Sequence, residues 1–516
     1  MSAGWRAPAL GALAGALYFL ACPPYGLSAL ACVALVPLVL ALRTATRGRD
    51  AVRAGWVAGV VACAGGYAWI ADTAHRFWEV PWVFAAFLLL VFASFAELHF
   101  TVFALVWWKG RHRFQAAPAA AGAALFTLCE RFVPRIFPDK LGHTQVDAGP
   151  LPFAAALGGT HGLSFGLAWV AAAVAALVWA WRTPARRRCA LELAVAVAAM
   201  GGLAVYGAQR AQGMAHTAPE RTLNVLIVQP NIGDPEEIVA QQGSVTQAID
   251  STLTAYIGMT RSAIGATAPD LVVWPETAVP TVPRPRTLER LERLVAERGI
   301  QLIFGAYDIE RVTDQLRRTY NAAFHMDATG QLRGRYAKNK LLVFAEYVPL
   351  SDRIPGLLNL LPSPGEFSPG PGPVVFTVHD VALAPLICYE LLFPDVVRRA
   401  LRGGGTVIVN LTNDYWFGRG LEPEQHLALC RMCAFETGRP IIRATNTGIS
   451  ATIDGSGRVR ARTRVWEPGV VRDRVPIPPM SWTPFTRWGD LATATVVAAG
   501  MVLGGLARGR RPASRH

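Results

Sequence analysis

Long apolar segments alternate with short basic segments over the first two fifths of the chain, and one more apolar segment lies near its end. A helix that crosses a bilayer needs about 20 apolar residues, so the pattern predicts an α-helical transmembrane bundle of about eight spans. Residues 1–210 would form an N-terminal transmembrane domain of about seven helices, and residues 488–516 a last helix with a basic tail. The predicted spans are about 7–22, 27–42, 54–71, 81–107, 115–130, 162–181, 189–207 and 490–507.

Residues 221–480 have a different pattern, in which short apolar runs end at turn signals and alternate with helical segments. Buried strands that alternate with helices are typical of α/β layering. This part of the sequence therefore predicts a separate α/β domain. The predicted strands are Leu223–Val228, Leu271–Trp274, Leu302–Ala306, Val381–Ile387, Thr406–Asn410, Ile441–Ala444 and Ser450–Asp454. The predicted helices are about 243–266, 287–298, 394–402 and 423–437.

The basic residues give the predicted spans a direction. The chain is 52% hydrophobic with a formal net charge of +14, and much of the positive charge lies between or beside apolar spans. Because positive loops stay in the cytoplasm, this placement favours a membrane protein over a nucleic-acid-binding one. With the N-terminus inside, the loops after spans two, four and six are cytoplasmic, and residues 208–489 lie outside the cytoplasm. These loops and the tail contain Arg43, Arg47, Arg49, Arg53, Lys109, Arg111, Arg113, Arg182, Arg186, Arg187, Arg188, Arg508, Arg510, Arg511 and Arg515.

The eight cysteines indicate neither a disulfide framework nor a metal site. Five of them fall in apolar spans, where cysteine acts as a small hydrophobic residue. Cys430 and Cys433 form a CxxC pair inside a helical apolar run, and we interpret them as core residues. The remaining cysteine, Cys388, directly follows a predicted strand and is the candidate for chemistry.

Three polar residues follow apolar or strand-like segments of the α/β domain: Glu276, Lys338 and Cys388. Ligands of open α/β sheets gather at strand ends. A thiol attacks an acyl carbon as a thiolate, so it needs a base, which a buried carboxylate supplies. An ammonium stabilises the oxyanion that forms. Taken one at a time, however, the three residues have simpler explanations, an inert buried thiol and two solvated charges.

Local motifs around these residues favour the chemical interpretation. The motifs are Trp274-Pro275-Glu276-Thr277-Ala278, Tyr336-Ala337-Lys338 and Ile387-Cys388-Tyr389-Glu390, with Val228-Gln229-Pro230-Asn231-Ile232 and Asn413-Asp414-Tyr415-Trp416-Phe417-Gly418 as further matches. They resemble the Glu-Lys-Cys motifs of the nitrilase (carbon-nitrogen hydrolase) superfamily. Together with the flanking spans, they make nearly the whole chain similar to the membrane-integrated apolipoprotein N-acyltransferase family.

The resemblance implies a nitrilase-like αββα sandwich at 221–480, on the periplasmic side of the cell inner membrane. It implies a ping-pong reaction in which Cys388 takes an acyl chain from a membrane phospholipid and passes it to the α-amine of a diacylglyceryl-apolipoprotein. Glu276 would be the general base, Lys338 the oxyanion stabiliser and Glu346 a supporting glutamate. The substrate approach would be lined by Tyr389, Glu390, Trp416 and Phe417. A monomer with no metal and no soluble cofactor is expected.

The sequence departs from the family pattern at two places, and two alternative functions remain open. The loop before Glu346 reads Val343-Phe344-Ala345, whereas the family has Pro-Phe-Gly, and the segment after Ile232 lacks the tryptophan that the family has nearby. A membrane-tethered amidase or nitrilase that hydrolyses small amides would use the same three residues. A transporter or binding protein with a degenerate nitrilase-like domain would need none of them.

Overall fold

A computed structural model describes residues 3–233, 238, 243–265, 267–282, 285–311, 313, 317–343, 345–348, 351, 353–354, 356, 366–489, 494 and 498. The predicted last span at 490–507 therefore lies almost entirely outside the described residues. Contacts divide the chain into two compact units. The first, helical unit comprises Met1–His216, Gly420–Thr437 and Trp482–His516, and the second, α/β unit comprises Thr217–Arg419 and Gly438–Ser481.

The helical unit contains the apolar helices that the sequence predicts in the first 210 residues. The α-helices of the described residues are α1 (Ala3–Ala21), α2 (Val36–Thr44), α3 (Gly48–Gly66), α4 (Trp69–Phe77), α5 (Trp82–Ala96), α6 (Leu98–Lys109), α7 (Arg111–Ala116), α8 (Ala119–Phe132), α9 (Ala155–Trp179), α10 (Arg186–His216), α11 (Val245–Ala263), α12 (Pro285–Arg298), α13 (Pro394–Arg402), α14 (Glu422–Thr437) and α15 (Pro484–Trp488). The helix α14 lies within the range 221–480 of the sequence, but its contacts place it in the helical unit.

Two stretches of the described chain, Leu151–Trp179 and Arg186–His216, are long and apolar enough to cross a membrane. The number rises to four if each of two bent helix pairs, α3 with α4 and α5 with α6, is one span. The structure thus supports two to four candidate spans by length and composition, and the figure of about eight stays a prediction.

The break between α5 and α6 differs from the single span that the sequence predicts at 81–107. The two helices meet at 43° around Glu97, whose backbone leaves the helical region. The Glu97 carboxylate is buried and lies 2.9 Å from His99 Nδ1 and 3.6 Å from Arg135 NH1. A buried charge needs partners of this kind. The apolar pattern at 81–107 does not show which residues these partners are.

Small residues allow the helices of this unit to approach closely, as is common between membrane helices. A Cβ atom added at Gly11 would lie 2.2 Å from the Ala54 carbonyl oxygen, and one at Gly55 would lie 2.6 Å from the Phe100 carbonyl oxygen. The backbones of α1, α3 and α6 are therefore in direct contact. Buried alanines and the aromatic rings of Phe103 and Phe126 fill the space around them.

The described residues of the α/β unit form two sheets. Their strands are β1 (Arg221–Gln229), β2 (Leu271–Val273), β3 (Val279–Val282), β4 (Gln301–Arg311), β5 (Arg317–Met326), β6 (Leu332–Ala337), β7 (Phe376–Val378), β8 (Val381–Ile387), β9 (Val407–Thr412), β10 (Ile441–Thr445), β11 (Ala451–Ile453), β12 (Val459–Arg462) and β13 (Gly469–Ile477). The sheet orders are β13-β1-β2-β4-β5-β6, with β3 beside β4, and β12-β11-β10-β9-β8-β7. The central strands pair in parallel, β1, β2 and β4 in one sheet and β8, β9 and β10 in the other. The strand β3 also pairs with β4 in parallel, and the remaining pairs are antiparallel.

The core of this unit lies on both faces of each sheet. Apolar residues of α11 and α12 pack against one face of the first sheet, around Trp274 and Phe304. The α13 helix turns its buried face toward β8 of the second sheet. Between the sheets, contacts such as the stacked rings of His325 and Phe376 join the inner faces. The layers therefore follow the order helix, sheet, sheet, helix that the sequence predicts. The carboxyl ends of β2, β6 and β8 meet at one place.

Candidate active site

The three candidate catalytic residues each follow a strand directly or within a few residues, and local backbone geometry turns their side chains inward. Cys388 begins a 3-10 helix after β8 with φ 54°, a left-handed conformation that is rare for a residue other than glycine. Glu276 comes after β2, and Gly305 of β4 lies so close that an added Cβ would be 2.6 Å from the Glu276 Cα. Lys338 follows β6, and its N–H donates to the Asn321 carbonyl at 2.8 Å.

Lys338, Glu346, Glu276 and Asn321 form a connected polar cluster. The Lys338 ammonium lies 2.7 Å from Glu346 Oε1 and 3.5 Å from Glu276 Oε1. The Asn321 amide donates to both carboxylates, at 2.6 Å to Glu276 Oε1 and 3.2 Å to Glu346 Oε1. The second oxygen of Glu346 accepts the Leu342 N–H at 2.8 Å. One ammonium and one amide thus hold two carboxylates in fixed positions.

The second oxygen of Glu276 is also fixed. Oε2 accepts the backbone N–H of Asn413 at 2.8 Å. The Asn413 side chain reaches Thr277 Oγ1 at 3.3 Å and accepts from Asn446 Nδ2 at 3.4 Å. Because both oxygens of Glu276 have partners and the residue is only 6% exposed, the carboxylate points in one direction within the site.

Glu390 lies inside the site and is fully buried. Its Oε1 accepts the N–H groups of Asn339 and Lys340, at 2.7 and 2.9 Å. Its Oε2 accepts from Ile387 N and Tyr336 OH, both at 2.8 Å. The structure therefore places Glu390 between the ends of β6 and β8, where it fixes the backbones beside Lys338 and Cys388 instead of facing an approach.

The three aromatic residues that the sequence assigns to the approach differ in their exposure. Tyr389 is buried, and its ring lies 5.4 Å from the Lys338 ammonium, a cation–π contact inside the cluster. Trp416 is 44% exposed, and Phe417 is half-buried in the same short 3-10 helix. This helix begins two residues after Asn413. Trp416 and Phe417 therefore lie on the surface side of the site, and Tyr389 lies within it.

Burial determines the charge states of the cluster. Burial raises the pKa of Glu276, and the ammonium of Lys338 opposes the shift in part. Although burial lowers the pKa of Lys338, the carboxylates of Glu346 and Glu276 outweigh it and raise that pKa well above its ordinary value. Burial raises the pKa of the Cys388 thiol most, and the negative charge of Glu276 raises it further. The resting site therefore holds an ammonium and a protonated thiol beside a carboxylate with raised proton affinity.

This arrangement suits acyl transfer by a thiol. A carboxylate with a raised pKa can take the thiol proton as sulfur attacks, which is the role of a general base. An ammonium next to a reacting carbonyl can stabilise the negative charge that develops on its oxygen. Composition and spacing alone did not identify two residues that hold Glu276, Asn413 and Gly305. Asn413 lies in a recognisable motif, whereas the close approach of Gly305 to Glu276 is a tertiary contact.

Fold and site together define the class: a carbon-nitrogen hydrolase domain joined to an apolar helical region. The family model described as "Carbon-nitrogen hydrolase" matches residues 227–477, and the model described as "Apolipoprotein N-acyltransferase N-terminal domain" matches residues 14–173. A solved amidase from Nesterenkonia sp. aligns with TM-score 0.33 at 18% identity, over 51% of this chain and 93% of the amidase.

Curated relatives make the identification more specific. A protein of Bdellovibrio bacteriovorus named apolipoprotein N-acyltransferase is 34% identical over 84% of this chain and 82% of the relative. Proteins of the same name from Geobacter metallireducens and Pseudomonas putida are 30% and 32% identical, over 97% and 96% of this chain and 95% of each relative. The chain belongs to the apolipoprotein N-acyltransferase family. It is an acyltransferase and a membrane protein, as the sequence motifs predict.

Proposed function

We propose that this chain N-acylates the α-amine of the N-terminal diacylglyceryl-cysteine of apolipoproteins and so completes their maturation. A membrane phospholipid is the acyl donor, and a thioester on Cys388 is the intermediate. The observation that carries the proposal is the buried cluster at three strand ends, in which Glu276 and Lys338 both act electrostatically on the Cys388 thiol.

In the first half-reaction, the Cys388 proton passes to the Glu276 carboxylate as Sγ attacks the ester carbonyl of the phospholipid. The oxyanion of the tetrahedral intermediate forms beside the Lys338 ammonium, which the carboxylates of Glu346 and Glu276 keep protonated. When the carbon–oxygen bond breaks, Glu276 returns the proton to the glycerol oxygen. A lysophospholipid leaves, and the acyl chain remains on sulfur.

In the second half-reaction, the α-amine of the diacylglyceryl-cysteine attacks the thioester carbon. Glu276 takes a proton from the amine, Lys338 again faces the oxyanion, and the carbon–sulfur bond breaks. Sulfur recovers a proton from Glu276, and the product is an amide. Because both half-reactions use the same base and the same cation, one fixed cluster serves donor and acceptor in turn, which is a ping-pong scheme.

The proposed location is the cell inner membrane, with the α/β unit on the periplasmic side. The positions of the basic loops support this orientation, and both substrates are lipids anchored in the bilayer. A monomer completes the proposal. It uses no metal or soluble cofactor, since the thiol, the carboxylate and the ammonium supply the nucleophile, the base and the oxyanion stabiliser.

The test is mass spectrometry of the purified full chain after incubation with a diacyl phospholipid. We expect an acyl adduct on Cys388 of the wild type and none on Cys388→Ala. Cys430→Ala is the matched control, because Cys430 is also a buried cysteine but lies in the helical unit, and this variant should form the adduct. Addition of a diacylglyceryl-peptide should then discharge the adduct and produce an N-acyl peptide.

The membrane-tethered amidase is the alternative that the same experiment addresses. Rapid release of acid from small amides, without a lipid thioester, would favour hydrolysis over transfer. Full cellular function of Cys388→Ala would instead favour a transporter or binding protein with an inactive domain. An unmodified Cys388 after long exposure to phospholipid would refute the proposed donor step.

A further inference from the structure

Behind Cys388, four buried polar residues in and beside the second sheet are linked by hydrogen bonds into one network. Asn410 and Thr412 lie on β9, Asp414 follows it, and Arg443 lies on the neighbouring strand β10. The side chains of Arg443 and Asp414 are fully buried and form an ion pair at 2.8 Å. Buried charged residues of this kind need a reason beyond stability, since apolar replacements often serve stability equally well.

The network contacts Cys388 through Asn410, whose Nδ2 donates to the Cys388 carbonyl at 2.9 Å. Arg443 NH1 donates to Asn410 Oδ1 at 2.9 Å, and the Thr412 hydroxyl donates to Asp414 Oδ1 at 3.0 Å. The Arg443–Asp414 pair thus orients Asn410, the residue that contacts Cys388.

The contact from Asn410 bears on the backbone of the nucleophile. Cys388 has φ 54°, and a non-glycine residue keeps this conformation only where its surroundings enforce it. Arg443 binds the amide oxygen of Asn410, so the amide NH₂ group must face the Cys388 carbonyl. The guanidinium therefore fixes which way Asn410 points, and Asn410 fixes the turn from which sulfur projects.

Thr412 bears on the orientation of Asp414. The Thr412 hydroxyl donates to Asp414 Oδ1, so Asp414 Oδ2 faces Arg443 NH2. Thr412 therefore fixes the carboxylate that holds the guanidinium, and the guanidinium directs Asn410.

We propose that Asn410, Thr412, Asp414 and Arg443 are positioning residues for Cys388. Thr412 and Arg443 hold Asp414, Arg443 directs Asn410, and Asn410 fixes the turn from which sulfur projects. The inference rests on the proposed function, because it assigns the network to the thiol that function requires.

The experiment measures how fast Cys388 reacts with iodoacetamide across pH, in the full chain. Alkylation reports the thiolate without any lipid substrate, so its outcome is separate from that of the phospholipid test. Other charged or titratable groups that face the thiol are Glu276, Lys338, Asp414 and Tyr389, and all of them are unchanged in a Thr412 variant. Thr412→Val keeps the shape of the side chain and removes the hydroxyl.

We expect Thr412→Val to slow alkylation at every pH by about 10-fold, because Asp414 loses the hydrogen bond that orients it and a small displacement of a reacting group costs rate, and Thr412→Ser to restore most of the rate. Thr452→Val is the matched control: Thr452 is a fully buried threonine in the same unit and sheet that binds a carboxylate, Asp473, at 2.8 Å. Its profile should match the wild type. A Thr412→Val profile that coincides with the wild type overturns the role of Thr412.

The positioning residues are tested with the double variant Arg443→Met/Asp414→Leu, which removes both charges together and leaves neither unpaired. We expect slower alkylation at every pH, together with a loss of acyl-adduct formation of at least 10-fold. If this variant melts like the wild type and reacts like it, the ion pair is merely structural. If the double variant does not fold, Asn410→Ala is measured instead, by its rates of alkylation and of acyl-adduct formation. Wild-type values of both rates in Asn410→Ala overturn the positioning role.

Discussion

Gly305→Ala is the substitution for which the structure gives the clearest magnitude. The added Cβ would meet three backbone atoms of the Glu276 turn, at 2.6 Å from Glu276 Cα, 2.6 Å from the Pro275 oxygen and 2.7 Å from Thr277 N. Ordinary contacts of this kind are about 3.4 Å or longer, so the turn must move by almost 1 Å. Backbone atoms on three sides leave no flexible side chain to give way.

A displacement of about 1 Å can reduce catalysis about 100-fold, because Glu276 would no longer meet the sulfur proton or its partners Asn321 and Asn413 at the same distances. The assay is the rate of acyl-adduct formation on Cys388, with the melting temperature measured in parallel. We also expect overpacking to destabilise the domain by about 1–3 kcal/mol.

Gly258→Ala is the control for this experiment. Gly258 lies in α11 of the same unit, with open space where its Cβ would be, so alanine should keep the rate and stabilise the helix by up to about 1 kcal/mol. A Gly305→Ala protein with wild-type rate and melting temperature would show that the Glu276 turn tolerates movement, and the geometric argument for a fixed base would be wrong.

Three further predictions concern charge. Lys338→Met should lower the acylation rate about 100- to 1000-fold and, because Lys338 lowers the pKa of Glu276, move the acid limb of the pH–rate profile to higher pH. Glu390→Gln should lower the free energy of unfolding by about 1–3 kcal/mol, measured by denaturant titration, since an amide cannot accept all four bonds. Against the effect of burial, Arg460 holds the pKa of Asp473 below its ordinary value, so Asp473→Asn should destabilise the protein at pH 7 and progressively less as pH falls below about 3.9.

Much of the α/β unit could be read from local pattern. The strands that carry Glu276 and Cys388 are apolar runs bounded by turn signals, and both were predicted within a residue or two. The strand β5 was missed, although it is ten residues long, because Arg317, Arg318 and His325 interrupt its apolar pattern. Its pairing with β4 and β6 satisfies the backbone, and this pairing is not encoded in side-chain periodicity.

The candidate site was predictable to the extent that its residues sit in motifs. Motifs named Glu276, Lys338, Cys388 and Glu346, and the structure brings these residues together, while their catalytic roles stay predictions. Glu390 was also found, but with a different role, because motif position does not show that all its acceptor sites are taken by neighbouring N–H and O–H groups. The helix break at Glu97 was missed for a similar reason, since one of its partners, Arg135, lies far along the chain, beyond the end of α8.

The amino-acid sequence by itself determined the division into apolar helices and an α/β domain, and it determined which thiol is the nucleophile candidate. Those features depend on periodicity, apolar length and short motifs, which are local. Only the tertiary structure decided that Asn321 joins two carboxylates, that Gly305 allows the Glu276 turn to approach β4, and that Arg443 lies behind Cys388. Those features depend on contacts between distant strands, where burial strengthens each charge and fixes each hydrogen bond.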